Sequence, residues 1–532
     1  ALGTPLPVGI ADRYLQPVPD PAGDLVLRFA RTHGPFTPQD VARRYGLGVA
    51  VVTLTLERFV ERGRLIEGEF RPGGTQREWC DNDVLKAIRR RSLAKLRKEA
   101  EPVVQPALGR LFTQWQGVVR KRRGLDALLE TIEILQGYPI AASIFESEIL
   151  AARIDDYRPS DLDTLSAAGE IVWAGVEPLG ERDGRIAVYL TDHLPLLRRA
   201  GVIPSGVEGS PSLLEAGDPS TALGMTQNLE QRIVDHLRAH GASFFAQIHA
   251  AVGGFPNDLV DTIWSLVWKG LITNDTFHAL RALTRPKTKR VSGGTAPGGA
   301  RFRSRRLAAP LSAEGRWSLV PGIDVNATQR ANALAHQMLA RYGVVTREAP
   351  GAEGVQGGFG AVYPVLKAME EAGRIRRGYF VAGLGATQFA SGGAIDLLRS
   401  FRDDGEKAET VMLAATDPAN PYGTIVKWPL EGRFTRSVGA NVILVNGALA
   451  AYIGRGEKQL SVFLPDDEPS RGMVGREVAR MLAGLVDSGQ RRALLIAEVN
   501  DEQATRSVLA PYLAEHGFIA TAMGFQKRAK VA

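Results

Sequence analysis

Cysteine and long apolar runs are almost absent from this sequence of 532 residues. The single cysteine, Cys80, excludes a framework of intramolecular disulfides and is typical of a reducing cytoplasm. No run of about 18 apolar residues occurs, so we expect no transmembrane helix. The opening string ALGTPLPVG lacks the charged and apolar segments of a secretory leader, and we expect the chain to be a piece of a longer protein.

Three motifs of enzyme chemistry are also missing. There is no G-x-x-x-x-G-K-[ST] loop to surround nucleotide phosphates, so we expect no ATP hydrolysis by this chain. There is no G-x-S-x-G elbow for a serine nucleophile. His236 and His240 lie one helical turn apart, but the string HLRAH lacks the glutamate of H-E-x-x-H and predicts a surface pair rather than a metal site.

The charge balance is basic. Lys and Arg number 65 against 58 Asp and Glu, which gives a net charge of +7 and a pI near 9.4. This excess is compatible with nucleic-acid binding but does not establish it. The length predicts several domains, since a domain usually takes about 100–200 residues.

Repetition is the main architectural feature. Three helical segments followed by a hairpin, the order of a winged helix, occur four times, and shorter strands separated by turns follow. We therefore predict an α+β chain of tandem winged-helix modules, then a small β-barrel, then a C-terminal α/β cap. The predicted segments are an extended segment (1–20), winged helix 1 (21–80), a basic helical segment (81–136), winged helix 2 (137–201), a flexible insertion (202–227), winged helix 3 (228–283), a basic linker (284–313), winged helix 4 (314–402), the β-barrel (403–468) and the cap (469–532).

The fourth module contains the stretch that best suggests a function. A helical run over residues 360–372 ends at a glycine, and residues 373–390 then read as a hairpin. Arg374, Arg376 and Arg377 lie between that helix and the wing, where a DNA backbone would pass. The alternative is a hairpin that closes a core and carries its arginines on a solvated edge.

Aromatic side chains follow these arginines. Tyr379 or Phe380 offers a ring on which an unpaired base could stack, and strand alternation allows at most one of the two to be exposed. Gln388, on the returning strand, is a further candidate for nucleic-acid contact.

Two basic clusters lie in the N-terminal third. Residues 83–100 predict a helix that carries Arg89, Arg90 and Arg91, and Arg120 and Arg122 belong to a second cluster. Each cluster is a candidate for phosphate contact, and the alternative for each is a solvated cationic face. Residues 285–313 hold eight Lys and Arg and no acid, which predicts a disordered linker or, alternatively, an arm that tracks DNA.

Candidates for catalysis are few. Asp417, in the string TDPANPYG, lies at a turn after a predicted strand, where an acid could face a flipped base; the alternative is an Asp-Pro turn bonded to its own backbone. The string Gln114-Trp115-Gln116 is similar to the Gln-x-Gln motif of AlkZ-type DNA glycosylases, which also combine winged helices with a small barrel. Here the string falls in a predicted helix, and we interpret the match as coincidence.

Four long strings, in order, resemble the accessory region of large helicase-related (Lhr-type) DNA helicases. They are EWCDNDVLKAIRRRSLAKLRKEAEPV with LFTQWQGV, GEIVWAGVEPLGERDGRIAVY, RGYFVAGLGATQFA and LAATDPANPYGTIVKWP. The resemblance implies a DNA-processing protein of the bacterial cytoplasm and nucleoid, with ATP and magnesium bound by motor lobes upstream and no cofactor in this chain. It also implies a motor that moves 3′ to 5′ on single-stranded or forked DNA during repair.

Three functions stay open on these grounds. The first is a DNA-binding accessory region of such a helicase, with DNA and the upstream motor lobes as partners. The second is a DNA glycosylase for uracil or alkylated bases. The third is a module for self-association. None of the three involves a membrane.

Overall fold

The protein, seen in a computed structural model, divides into two compact units, Ala1–Glu101 and Pro102–Ala532. The structure describes residues 9–12, 16–71, 76–198, 221–285, 310–322, 325–402, 407–430 and 432–529. Among these residues, no helix combines the length and the apolar character that a membrane crossing requires. The predicted extended segment 1–20 and the basic linker lie largely outside the described residues.

The first unit is a winged helix followed by a long helix. The capping-box start at Thr37 is formed, since Asp40 Oδ2 accepts from the Thr37 backbone N–H at 3.0 Å. Phe29, Leu56 and Trp79 are buried in its core. Its elements are α1 (Pro21–Thr32), α2 (Pro38–Tyr45), α3 (Val49–Glu61), β1 (Leu65–Gly68), β2 (Glu78–Asp81) and α4 (Asn82–Ala100).

The second module starts the other unit and ends in a long hairpin. A π-helical turn, Phe145–Leu150, interrupts its helices. The last strand of this module, β5, lies between the other two, in the order β3-β5-β4. Its elements are α5 (Gln105–Trp115), α6 (Gly124–Leu135), β3 (Ile140–Ala141), α7 (Ala142–Ile144), α8 (Pro159–Ala167), β4 (Ile171–Pro178), β5 (Gly184–Leu190) and α9 (Leu194–Leu197).

The third module extends beyond its predicted boundary at residue 283. Its first helix begins inside the predicted insertion, and its last strand follows the basic linker and pairs between the other two, in the order β6-β8-β7. This strand was not predicted because it lies far along the sequence from the two strands with which it pairs. The elements are α10 (Thr221–His240), β6 (Ser243–Phe244), α11 (Phe245–Val252), α12 (Pro256–Trp268), β7 (Ile272–Asn274), α13 (His278–Thr284) and β8 (Arg316–Leu319).

The fourth module has the predicted helix and wing. Val362, Leu366 and Met369 form the buried stripe of its third helix, and Gly373 follows that helix with a φ of 71°. The strand order is β10-β11-β9. The elements are α14 (Ala327–Tyr342), β9 (Val344–Val345), α15 (Glu348–Ala352), α16 (Phe359–Glu371), β10 (Arg376–Gly378), β11 (Gln388–Ala390) and α17 (Gly392–Ser400).

The β-barrel predicted for residues 403–468 is wrong, because the strands described there belong to an open six-stranded sheet. Its order is β12-β13-β14-β15-β17-β18, and the last two strands come from the predicted cap. Residues 422–426 form a tight turn, in which the Gly423 N–H donates to the Val426 carbonyl at 2.7 Å. The elements are β12 (Thr410–Ala414), β13 (Asn441–Val445), β14 (Ala448–Ile453), β15 (Gln459–Val462), α18 (Ser470–Asp487), β16 (Ala493–Ile496), β17 (Glu498–Val499), β18 (Glu502–Gln503), α19 (Ala510–Glu515), β19 (Ile519–Thr521) and β20 (Gly524–Arg528).

Helices cover both faces of this sheet, which explains why it stays open. Along β13, Val442 and Leu444 belong to the core that includes α5, whereas Ile443 and Val445 belong to the core under α18. The α5 contact is very close: a Cβ on Gly109 would lie 2.2 Å from the carbonyl oxygen of Gly447. Asn446 and Gly447 form the turn between β13 and β14, and this turn is the surface on which α5 packs.

Candidate nucleic-acid interface

The arginines of the fourth module lie on the surface of an edge strand. Arg374, Arg376 and Arg377 are all exposed, while Ile375 between them is buried in the core. Arg377 Nε is 3.7 Å from Glu370 Oε2, so its charge is partly offset. Within the described residues, no ion pair involves Arg374 or Arg376. Two guanidinium groups are therefore presented to solvent without a competing carboxylate.

The two aromatic residues after these arginines divide as strand alternation predicts. Tyr379 is 43% exposed, and its hydroxyl accepts from the Gly383 N–H at 2.8 Å. Phe380 is half-buried over Gly378, where a Cβ would lie 2.8 Å from the ring. Tyr379 is thus the ring that a base could reach.

Gln388 is not on the surface, contrary to the prediction of a nucleic-acid contact. Its Oε1 accepts from the N–H groups of Phe380 and Val381, both at 2.9 Å. Its Nε2 donates to the Val381 carbonyl at 2.9 Å. The side chain is fully buried and satisfies backbone groups inside the hairpin, so its role is to hold the wing.

The wing is also fixed from outside. The Val103 N–H donates to the Phe380 carbonyl at 2.8 Å, and the Ala382 N–H donates to the Val103 carbonyl at 2.8 Å. This segment just before α5 therefore pairs with the wing as a short extra strand. Tyr379 and the arginines are consequently held on a rigid surface rather than on a free loop.

The predicted basic helix is formed as α4 in the first unit. Arg89, Arg90 and Arg91 are all exposed, and none of them makes an ion pair among the residues that the structure describes. The cationic face of α4 is therefore available for phosphate contact.

The arginines of the second basic cluster, Arg120 and Arg122, lie near acidic side chains. Arg122 forms an ion pair with Glu130. Burial raises the pKa of Glu409, and the nearby charges of Arg110 and Arg120 oppose this rise, so Arg120 lies close to an acidic group. Both predicted residues remain exposed, but each has a neighbouring carboxyl that would compete with a phosphate.

Asp417 lies inside the protein, which corrects its prediction as an acid presented at the surface. Its carboxylate accepts from Arg153 through Nη1–Oδ2 at 2.8 Å and Nη2–Oδ1 at 2.7 Å. Oδ1 also accepts from the Ala419 N–H at 2.7 Å, so the turn bonds to its own backbone as the alternative predicted. Arg153 belongs to no recognisable sequence motif, so the sequence did not indicate that it pairs with Asp417.

The Gln-Trp-Gln string belongs to the same buried region. Gln116 is 1% exposed, and its Oε1 accepts from Arg153 Nη2 at 3.0 Å. Trp115 Nε1 donates to the Ala340 carbonyl at 2.7 Å. These contacts are those of a packed helix end.

A metal site finds no support in the described part of the chain, where no group of three His, Cys, Asp or Glu could hold an ion. The rings of His236 and His240 stack with centroids 4.5 Å apart.

Two segments match families described as the winged-helix domain of the large helicase-related protein, residues 103–191 and residues 324–410. The chain is 38% identical, over 99% of its length, to a Mycolicibacterium smegmatis protein named "Lhr helicase/ probable uracil glycosylase". It is 32% identical, over 98% of its length, to an Escherichia coli protein named "Lhr helicase/uracil glycosylase". Over nearly its whole length, the chain is similar to these Lhr proteins.

The chain spans 35% of the length of each of these two relatives. The match over residues 103–191 covers α5 and most of the second module, and the match over residues 324–410 covers the fourth module. The resemblance to the accessory region of Lhr-type helicases, drawn from four strings of sequence, is confirmed. The two domain matches and the two relatives are consistent with this chain being a C-terminal region of such a helicase.

Proposed function

We propose that this chain is a DNA-engaging accessory region of an Lhr-type helicase. The observation that carries the proposal is the exposed surface of the fourth module. Among the residues that the structure describes, Arg374 and Arg376 have no acidic partner there, and the ring of Tyr379 is exposed. Guanidinium groups neutralise phosphates, and an aromatic ring stacks on an unpaired base without sequence preference. This combination suits single-stranded or forked DNA.

In the intact protein this surface would hold the strand on which the motor moves. The motor lobes would bind ATP and magnesium, and the direction would be 3′ to 5′, in the setting of DNA repair in the bacterial cytoplasm and nucleoid. The exposed arginines of α4 offer a second contact in the same role. The winged-helix families and the helicase names of the relatives support this placement.

The test is the affinity for a fluorescent single strand, read as anisotropy, of the variant Arg374→Gln/Arg376→Gln/Arg377→Gln. A matched control removes three exposed arginines that pair with acids elsewhere, Arg158→Gln/Arg238→Gln/Arg480→Gln. Both variants lose the same net charge. We expect the wing variant to bind at least about tenfold more weakly than the control. Equal affinity of the two variants would remove the wing from the interface.

A second function, excision of uracil from DNA, is favoured by the printed names of both relatives. The test is incubation of the chain with an end-labelled strand that contains one uracil, without ATP, followed by alkali. Scission at the uracil, and none in the same strand with thymine, is the expected result. An intact uracil strand would leave this chain as a DNA-holding region alone.

A further inference from the structure

The π-helical turn of the second module is an irregular element at an internal boundary. Over Phe145–Leu150 the helix widens, and the Ala151 N–H donates to the Glu146 carbonyl five residues earlier at 3.3 Å. Such turns are rare and frequently lie at functional sites. Here the turn packs against the first strand of the open sheet, with Phe145 and Ala414 in one core.

Glu148 on this turn has an unusual environment. Its side chain is partly exposed, yet Oε2 is shielded from solvent and has no hydrogen-bond partner in the described part of the chain. The neighbouring Glu146, by contrast, accepts from Tyr157 and forms an ion pair with Arg281. A shielded carboxyl oxygen without a donor is unfavourable, so the fold tolerates a cost at Glu148.

Three other segments place charges near Glu148. Burial raises the pKa of the Glu148 carboxyl, Arg491 lowers it, and Asp417 and Glu457 raise it further. Asp417 follows the first strand of the sheet, Glu457 lies in the turn before β15, and Arg491 lies before β16. Arg491 is 45% exposed and bonds to Glu457 through Nη2–Oε1 at 2.6 Å. The charge of the Arg491 guanidinium is therefore largely offset by Glu457.

We propose that Glu148 is the catalytic carboxyl of uracil excision, acting on an unpaired deoxyuridine nucleotide. The inference rests on the second function proposed above. It adds the location of the chemistry, which is the junction between the second module and the open sheet. Asp417, which is buried and ion-paired, does not contact the substrate.

The reaction is a hydrolysis and needs only water. The water oxygen bonds to C1′ of the sugar while the C1′–N1 bond breaks and its electron pair leaves with uracil. Glu148, as the carboxylate, accepts the proton that the attacking water loses. The uracil anion takes up a proton, and the products are an abasic site and free uracil. A carboxyl with a raised pKa is a better base near neutral pH than an ordinary one.

The experiment compares Glu148→Gln with Glu409→Gln on the uracil strand, with thermal unfolding and strand binding measured on the same samples. Glu409, which lies just before β12, is a matched control because burial raises its pKa too. We expect Glu148→Gln to lower the excision rate by about a hundredfold or more, with strand binding unchanged. The melting temperature should stay equal or rise, because a neutral amide relieves the shielded charge. Glu409→Gln should excise as the wild type does.

Each other outcome is decisive. Excision by Glu148→Gln at a rate close to the wild type would overturn the assignment while leaving the uracil function in place. Joint loss of folding and excision would give Glu148 a structural role and would also overturn it. A wild-type chain that leaves the uracil strand intact would overturn both the function and the assignment.

Discussion

Arg153 and Asp417 form a two-point ion pair in which each side chain is only 1% exposed. Arg153 lies just after the π-helical turn, and Asp417 lies just after β12. The pair therefore joins the second winged-helix module to the open sheet. Arg436 extends the contact, since its Nη2 donates to the Asp417 carbonyl at 2.9 Å.

Asp417→Asn should therefore act on stability. Removing one partner leaves the Arg153 charge buried without its counter-ion, and such changes cost about 3–5 kcal/mol. We expect a loss of this size in the free energy of unfolding, measured with urea at neutral pH. Asp155→Asn is the control, because its pair with Arg123 is exposed and is worth less than about 1 kcal/mol. Equal stability of Asp417→Asn and wild type would contradict this account.

Gly109→Ala tests the contact between α5 and the sheet. The new methyl group would lie 2.2 Å from the Gly447 carbonyl oxygen, a backbone atom that cannot move without shifting the hairpin. We expect a destabilisation of about 3 kcal/mol or more in thermal unfolding. Gly484→Ala is the control, since that glycine lies in α18 with no atom near the added methyl; it should stabilise by about 0.5–1 kcal/mol. Similar melting temperatures for both variants would refute the contact.

Local patterns in the sequence predicted local structure well and distant partners poorly. The helical run over residues 360–372 and its end at a glycine depend on neighbouring residues, and both are present. Arg153 and Asp417 are 264 positions apart, and no pattern within a window of sequence connects them. For the same reason the sequence left Asp417 open between an exposed acid and a turn bonded to its own backbone, and β8 was not assigned to the third wing.

The candidate interface also contains some features that the sequence predicts and others that it does not. The division of Tyr379 and Phe380 between the surface and the interior follows from alternation along an extended chain, which sequence can show. The inward position of Gln388 depends on the path of the wing tip, which sequence cannot show. The barrel prediction failed because period-two strands do not reveal that α5 and α18 cover opposite faces.

Tyr379→Ala should weaken binding to single-stranded DNA. Stacking of a base on an aromatic ring is worth about 1–3 kcal/mol, so we expect at least about a fivefold rise in Kd. Tyr379→Phe keeps the ring and loses only the hydroxyl that accepts from Gly383. It should bind within about twofold of wild type in the same anisotropy titration. If the alanine variant binds as tightly as the phenylalanine variant, no base stacks there.

Tyr422 should make stability depend on alkaline pH. Burial raises the pKa of Tyr422 to about 12, and the hydrogen bond from the Leu449 N–H opposes the rise. Because the folded protein keeps this proton longer than the unfolded chain, the contribution is complete below pH about 10 and is lost as pH rises toward about 12. It amounts to about 2–3 kcal/mol.

The measurement is the melting temperature at several pH values across this window. The wild type should lose stability more steeply than Tyr422→Phe, which has no proton to release. Tyr379→Phe, at an exposed ring, should follow the wild-type curve. Parallel curves for wild type and Tyr422→Phe would contradict the raised pKa.

The salt dependence of single-strand binding tests the central claim most directly. If the wing arginines neutralise phosphates, log K falls linearly with log salt, by about 0.7 for each phosphate contact. Between about 50 and 200 mM salt, the variant Arg374→Gln/Arg376→Gln/Arg377→Gln should show a slope that is smaller than the wild-type slope by about two. An unchanged slope in that variant, or binding by the wild type that does not respond to salt, would contradict the account of this surface as a DNA-holding site.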